Sequence, residues 1–178
     1  MRQKSVSFFA VLLGLVAVAC GQHSEQPKPG PEAKKLAYFI GTWQGKAEVK
    51  PSMFGPGGQA VNSSRNEWIA GGFFYLTHHE EQNPSGTYHV VSVTGYDPGK
   101  KVYTTYSFYP GGGVERSEGT LAGGTWTWNA SYDINGKTVK TRTIIKPTSA
   151  TSYDFTWEIA ANGDDWTTVQ QGTAKKAK

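Results

Sequence analysis

The sequence predicts an all-β domain, an up-and-down antiparallel β-barrel of about ten strands entered by a short helical turn. Composition is the first of three observations behind this. Beyond residue 19 there are three Leu (36, 76 and 121) against 21 aromatic residues and 18 Thr, whereas helices favour Leu, Ala and Glu. Turn signals, the second, recur at short intervals from Leu36 onward. The third is the period of two between those turns: Trp126, Trp128, Ala130 and Tyr132 fall on one face, with Thr125, Thr127, Asn129 and Ser131 on the other.

The first element is an address. Arg2 and Lys4 precede an apolar stretch from Val6 to Ala19, the pattern of a secretory signal over residues 1–19. Fourteen such residues rise about 21 Å as a helix, short of the roughly 30 Å hydrocarbon core. The chain's one Cys, Cys20, follows Val16-Ala17-Val18-Ala19 and precedes Gly21. This arrangement resembles the bacterial lipobox, with Ala17 where Leu is usual. The resemblance implies cleavage before Cys20, diacylglycerol on its sulfur and an acylated amine, which makes Cys20 the expected lipid anchor and the membrane a partner. Alkylation also removes the liability of a lone thiol in an oxidising compartment. Plain secretion is the alternative. Among lipoproteins Asp at the second mature position favours the inner membrane. Gly21 is not that signal, so the expected location is the outer membrane, facing the periplasm.

Residues 20–35 carry three Pro and no aliphatic side chain larger than Ala, and are expected to be a tether. A barrel over residues 36–174 and a basic tail over 175–178 complete the chain. The formal net charge of +4 resides at the ends: residues 36–172 hold 10 cations against 12 acids. The domain lacks the basic excess of a nucleic-acid binder, and no nucleic-acid partner is expected.

Within the domain, Pro31 to Ile40 is the one helical candidate, stopped at Gly41. Turns follow at Gly55–Gly58, Asn83–Gly86, Asp97–Gly99, Pro110–Gly113, Ala122–Gly124, Asn135-Gly136, Pro147–Ser149 and Asn162–Asp164, with a break around Ile69 to Gly72. Asn135-Gly136 between two alternating runs is a strong hairpin signal. Sequential hairpins of this length make a meander, and a meander protects its edges by closing into a barrel. A two-sheet sandwich is the alternative. Barrels of eight to ten strands are filled by side chains or hold one small ligand.

Leu36-Ala37-Tyr38-Phe39-Ile40-Gly41-Thr42-Trp43 resembles the start of lipocalin-like (calycin) barrels, where a helical turn runs into Gly-Thr-Trp. With Glu67–Phe74, Gly95-Tyr96-Asp97, Lys101-Val102-Tyr103 and Gly119-Thr120-Leu121, residues 36–172 resemble the bacterial lipocalin-like family called domain of unknown function 1579. That resemblance implies a Trp43 packed across the closed end, and no established activity. Nitrobindins also open with Gly-Thr-Trp and bind haem through a His late in the chain. Here His23, His78, His79 and His89 are all early, so no haem and no other cofactor is expected.

Two groups of residues could carry function. If residues 73–82 and 87–96 pair with 80 opposite 89, then His78, Glu80 and His89 share one face. Two imidazoles and a carboxylate could hold a metal or form an acid–base pair. A one-residue slip would group His79 with His89 instead, and the plainer reading is a polar hairpin mouth facing water. No nucleophile elbow or phosphate loop is present, so no catalytic or metal residue is assigned. The second group is aromatic. Six Trp are many for this core, and Trp43, Trp68, Trp126 and Trp157, with His78, Glu80 and His89, are the candidate ligand pocket. The expected function is a lipid-anchored envelope barrel that binds a small apolar or aromatic molecule. The alternatives are an envelope interaction protein with a filled barrel and, third, an enzyme using the His78/Glu80/His89 face.

Overall fold

A computed structural model describes residues 27–134, 136–161 and 163–177. Residues 1–26, with the expected signal segment and Cys20 among them, lie outside the described residues. Among those described, no helix is long and apolar enough to cross a membrane.

A five-residue helix α1 (Pro31–Lys35) continues into a 3-10 turn (Leu36–Phe39). Pro31 starts it where its missing N–H costs nothing, so ordered structure begins inside the segment expected to be tether. Ten antiparallel strands follow: β1 (Gly41–Val49), β2 (Gly58–Ile69), β3 (Phe74–Asn83), β4 (Gly86–Asp97), β5 (Val102–Phe108), β6 (Val114–Ala122), β7 (Thr125–Ile134), β8 (Lys137–Ser149), β9 (Ser152–Ala160) and β10 (Thr167–Lys176). Each pairs with its sequence neighbours, and β10 closes on β1 through Trp43↔Lys176 to Val49↔Gln170. Closure leaves no open edge strand, so the meander and not the sandwich is realised. Lys175 and Lys176 are strand residues rather than a tail.

The core is an aromatic plug at one end. Leu36 and Phe39 from the 3-10 turn pack with Tyr75, Tyr103 and Trp126 into one buried cluster. Phe39 meets Trp126 edge-on at 5.2 Å between centroids, and Tyr103 meets Trp126 at 4.8 Å. Trp43, 2% exposed, donates its indole N–H to the Phe39 carbonyl at 2.7 Å. The Asn66 amide donates to the same carbonyl at 2.7 Å, and Asn66 in turn accepts from the Thr77 hydroxyl. This hub fastens helical turn, β1, β2 and β3 together, as the Gly-Thr-Trp resemblance implied for Trp43. A smaller cluster of Val139, Ile159 and Val169, with Trp157 against it, lies at the opposite end.

Candidate functional site

Trp43 and Tyr75 point inward, and that settles the faces of every strand. Following the register from Trp43 through Ser64 and His79 to Val90, the inward positions are odd-numbered on β1 and β3 and even-numbered on β2 and β4. Above the plug the inner wall formed by β2 to β6 is polar. Ser92 donates to Ser107 at 2.9 Å, and Thr94 and Thr105 share a hydrogen bond of 2.8 Å. Ser117 and Thr141 continue this belt of buried hydroxyls. Ser64 and His79 Nδ1 bond at 2.8 Å. The Gln170 amide donates to Glu81 across 2.8 Å, and Asn83 donates to the other Glu81 oxygen.

The facing wall is aromatic. Trp128, Thr143 and Trp157 occupy one row across β7, β8 and β9. Trp128 stacks parallel to Trp126, 6.2 Å between centroids, and lies flat over Gly119, where a Cβ would collide with the indole. Phe155 and Tyr153 continue this wall toward the plug. Trp128, Thr143, Phe155, Trp157, Thr77 and Thr105 are inward, mid-strand and still only half-buried. A filled barrel would bury them, so water-sized space remains between the two walls. Phe54, in the loop from Lys50 to Gly57, reaches over the mouth and meets Trp157 at 5.1 Å. The Lys50 N–H, bonded to the Val169 carbonyl at 2.8 Å, holds that loop to the rim.

Burial, opposed by Glu81, holds the His79 imidazole below its ordinary pKa. Burial pushes the inward-facing Glu115 carboxyl up, and Tyr109 beside it donates a long hydrogen bond of 3.4 Å. Desolvation pushes Tyr75 up to about 12. The interior thus combines a neutral imidazole, two carboxyl groups and a belt of hydroxyls with a wall of indoles. Such a lining can hold a ring on one side and hydrogen-bond its polar groups on the other.

The predicted pocket residues divide among four places. Glu80 does pair with His89 and His78 with Val91, so the three share a face, but it is the outer one. The register was right and the side was wrong-handed for a lumen, because Tyr75 takes the odd positions of β3 inside. There Glu80 and His89 form an exposed pair at 3.6 Å beside an open groove of about 510 Å³. Among the described residues no three His, Cys, Asp or Glu side chains gather as metal ligands. Trp43 and Trp126 are plug residues, each 2% exposed. Trp68 lies at the rim of the closed end, edge-on to Tyr75. Trp157 alone of the seven faces the open interior. Sequence reasoning missed Trp128, His79, Glu81, Glu115 and Gln170. The alternation of Trp126 and Trp128 already placed Trp128 on the Trp126 face.

A family model described as "Protein of unknown function (DUF1579)" matches residues 28–176. No curated protein sequence matches the chain. Among solved structures, Rv2717c from M. tuberculosis is similar with a TM-score of 0.57 at 9% identity, over 85% of this chain and 100% of that one. An S-type phycobiliprotein lyase, CPES from Guillardia theta, is similar with a TM-score of 0.60 at 10% identity, over 82% and 92%. At such identities the likeness is one of fold.

Proposed function

The chain belongs to the DUF1579 family, and we propose that it is a lipid-anchored envelope protein whose barrel binds one small ring-bearing molecule. The observation that carries this is the half-buried interior row of Trp128, Thr143 and Trp157 facing a belt of hydroxyls, His79 and Glu81. The ring would lie on the indoles and its polar groups on the opposite wall, under the Phe54 loop. A barrel of this fold also serves a protein named as a phycobiliprotein lyase, an analogy of fold that adds no residue assignment. The anchor rests on the lipobox-like run before Cys20.

Titration with a neutral naphthalene dye tests the site. Saturable binding, with a blue shift and energy transfer from tryptophan, is expected. Trp157→Ala should weaken it about tenfold, the worth of one aromatic contact, and His89→Ala should leave it unchanged. Equal loss in both variants, or no saturation, refutes the site.

A second reading is carried by the outer surface. Val91, Phe108 and Val114 form one row across β4, β5 and β6, 38%, 46% and 64% exposed, with Tyr106 beside them. A contiguous apolar strip of this kind fits an interaction protein. Cross-linking from Val114→Cys in the native envelope separates the readings: a discrete partner adduct favours interaction.

A further inference from the structure

Charge is not spread evenly over the barrel. The exposed side chains of Lys34, Lys100, Lys101, Lys146 and Lys175, with half-buried Lys176, all lie at the closed end. They sit on α1, the β4–β5 turn, the β8–β9 hairpin and the end of β10. The acids there are Glu32, Glu67, Asp97 and Asp154; Glu67 faces Arg65 at 3.9 Å, and Glu118 on β6 lies 4.0 Å from Lys100. Glu32 is engaged by Lys35 and by the Tyr103 hydroxyl, and Asp97 accepts the backbone N–H groups of Gly99 and Lys100 within its own turn. The mouth is acidic on balance: Glu48, Glu80, Glu81, Glu115, Asp133, Asp164 and Asp165 lie at or near it against Lys50, Lys137 and Lys140, the last paired with Asp164 at 2.8 Å.

Two aromatic side chains stand on the same closed end. Trp68 is 36% exposed and Phe74 39% exposed, one on each side of the Ala70–Gly72 turn. Pro29 passes this turn close enough for a Cβ on Gly72 to touch its ring at 3.4 Å. Pro29, nine residues from Cys20 in sequence, therefore lies beside the exposed aromatics at the closed end. Exposed indole and phenyl rings beside lysines are what the interface of an anionic bilayer accepts.

We infer that the closed end of the barrel docks on an anionic lipid bilayer and turns the mouth away from it. Pro27 and Cys20 are seven residues apart. That spans at most about 25 Å. A ten-residue strand tilted at about 40° makes a barrel about 25 Å tall. With Cys20 in the bilayer, the closed end is the end within reach, and the mouth faces the aqueous compartment. The orientation rests on the lipid-anchor reading; the docking surface itself does not.

The test uses the full chain with Cys20→Ala, exported and without an acyl group, on vesicles of phosphatidylcholine with or without 30% phosphatidylglycerol. Sedimentation with the anionic vesicles only, lost in high salt, is expected. Lys100→Glu/Lys101→Glu/Lys175→Glu should weaken it by at least 100-fold, since each lysine at such a surface contributes about fivefold. Brominated lipid should quench Trp68, and Trp68→Phe should remove that quenching. In the same Cys20→Ala background, a dye on Ala122→Cys at the closed end should transfer energy to a headgroup acceptor more efficiently than one on Met53→Cys in the mouth loop. Absent or charge-independent binding, or the reverse order of transfer, overturns the docking inference. A wild-type chain with no acyl mass on Cys20 overturns the anchor alone.

Discussion

Replacing Thr143 by Phe distinguishes an open interior from a filled one by the sign of a stability change. Thr143 points inward between Trp128 and Trp157 in adjacent strands, and is half-buried. Cross-strand neighbours of this kind have Cβ atoms about 5 Å apart. If the space is open, the new ring lies against both indoles and buries about 80–100 Å² of additional apolar surface. At 25 cal/mol per Å² this is about 2 kcal/mol of stabilisation. Fixing the side chain costs about 0.5–1 kcal/mol, leaving a gain of about 1–1.5 kcal/mol. If the space is filled, overpacking costs about 1–3 kcal/mol instead. Urea unfolding by circular dichroism separates these cases, with the slope checked for constancy. The thermal midpoint should rise by about 3 °C for a domain of this size. Thr143→Val, which removes the hydroxyl without adding volume, is the control. A loss of more than 1 kcal/mol in Thr143→Phe would refute the open interior, and with it the ligand site.

Trp43→Phe removes the indole donor to Phe39 and part of a buried ring. Hydrogen bond, transfer and cavity together amount to about 2–3 kcal/mol of destabilisation by urea unfolding, and less than 0.5 kcal/mol would contradict the hub. Gly119→Ala pushes a methyl into the Trp128 ring. It should cost about 1–3 kcal/mol and shift tryptophan emission, where an unchanged spectrum would contradict the stacking. His79 has a folded pKa below its unfolded value. Between the two the unfolded state binds more protons, so stability should fall as pH drops below about 6.5, and His79→Gln should flatten that slope in melts across pH. Glu115 is shifted the other way. Its stabilisation is present below the unfolded pKa and lost as pH rises through the folded one, so Glu115→Gln should raise the neutral-pH midpoint, and a lowered midpoint contradicts the desolvated carboxyl. Cys20→Ala should move the protein from the membrane pellet to the soluble fraction in high salt, which releases charge-dependent docking, and retention in the pellet under those conditions would contradict the anchor.

The fold was legible because its signals were local and repeated. Gly and Pro turns, aromatic and Thr runs, and the Leu36–Trp43 entry each constrain a few residues, and closure follows from protecting edges. The hairpin register at Glu80↔His89 was legible for the same reason. Which face looked inward was not. Alternation identifies the inner face of a strand when one side is apolar, and here the upper interior carries Ser64, Thr77, His79, Glu81, Ser92 and Ser107. Polarity on both faces left His78 and His79 equivalent in sequence. They are distinguished only by the chain of pairings from Trp43 to Ser64 to His79. Trp43, Trp126 and Trp157 look alike as aromatic candidates. Their depth along the barrel, set by the plug of Leu36 and Phe39, makes two of them structural and one a wall of the open space.

Native mass spectrometry of the protein released from its own host's membrane tests the central claim most directly, with the wild type and Thr143→Phe compared side by side. The expected result is a reproducible mass excess on the wild type that disappears on denaturation and is absent from the folded variant. A wild type that carries no such mass, or an adduct that persists undiminished when Phe occupies position 143, would contradict it.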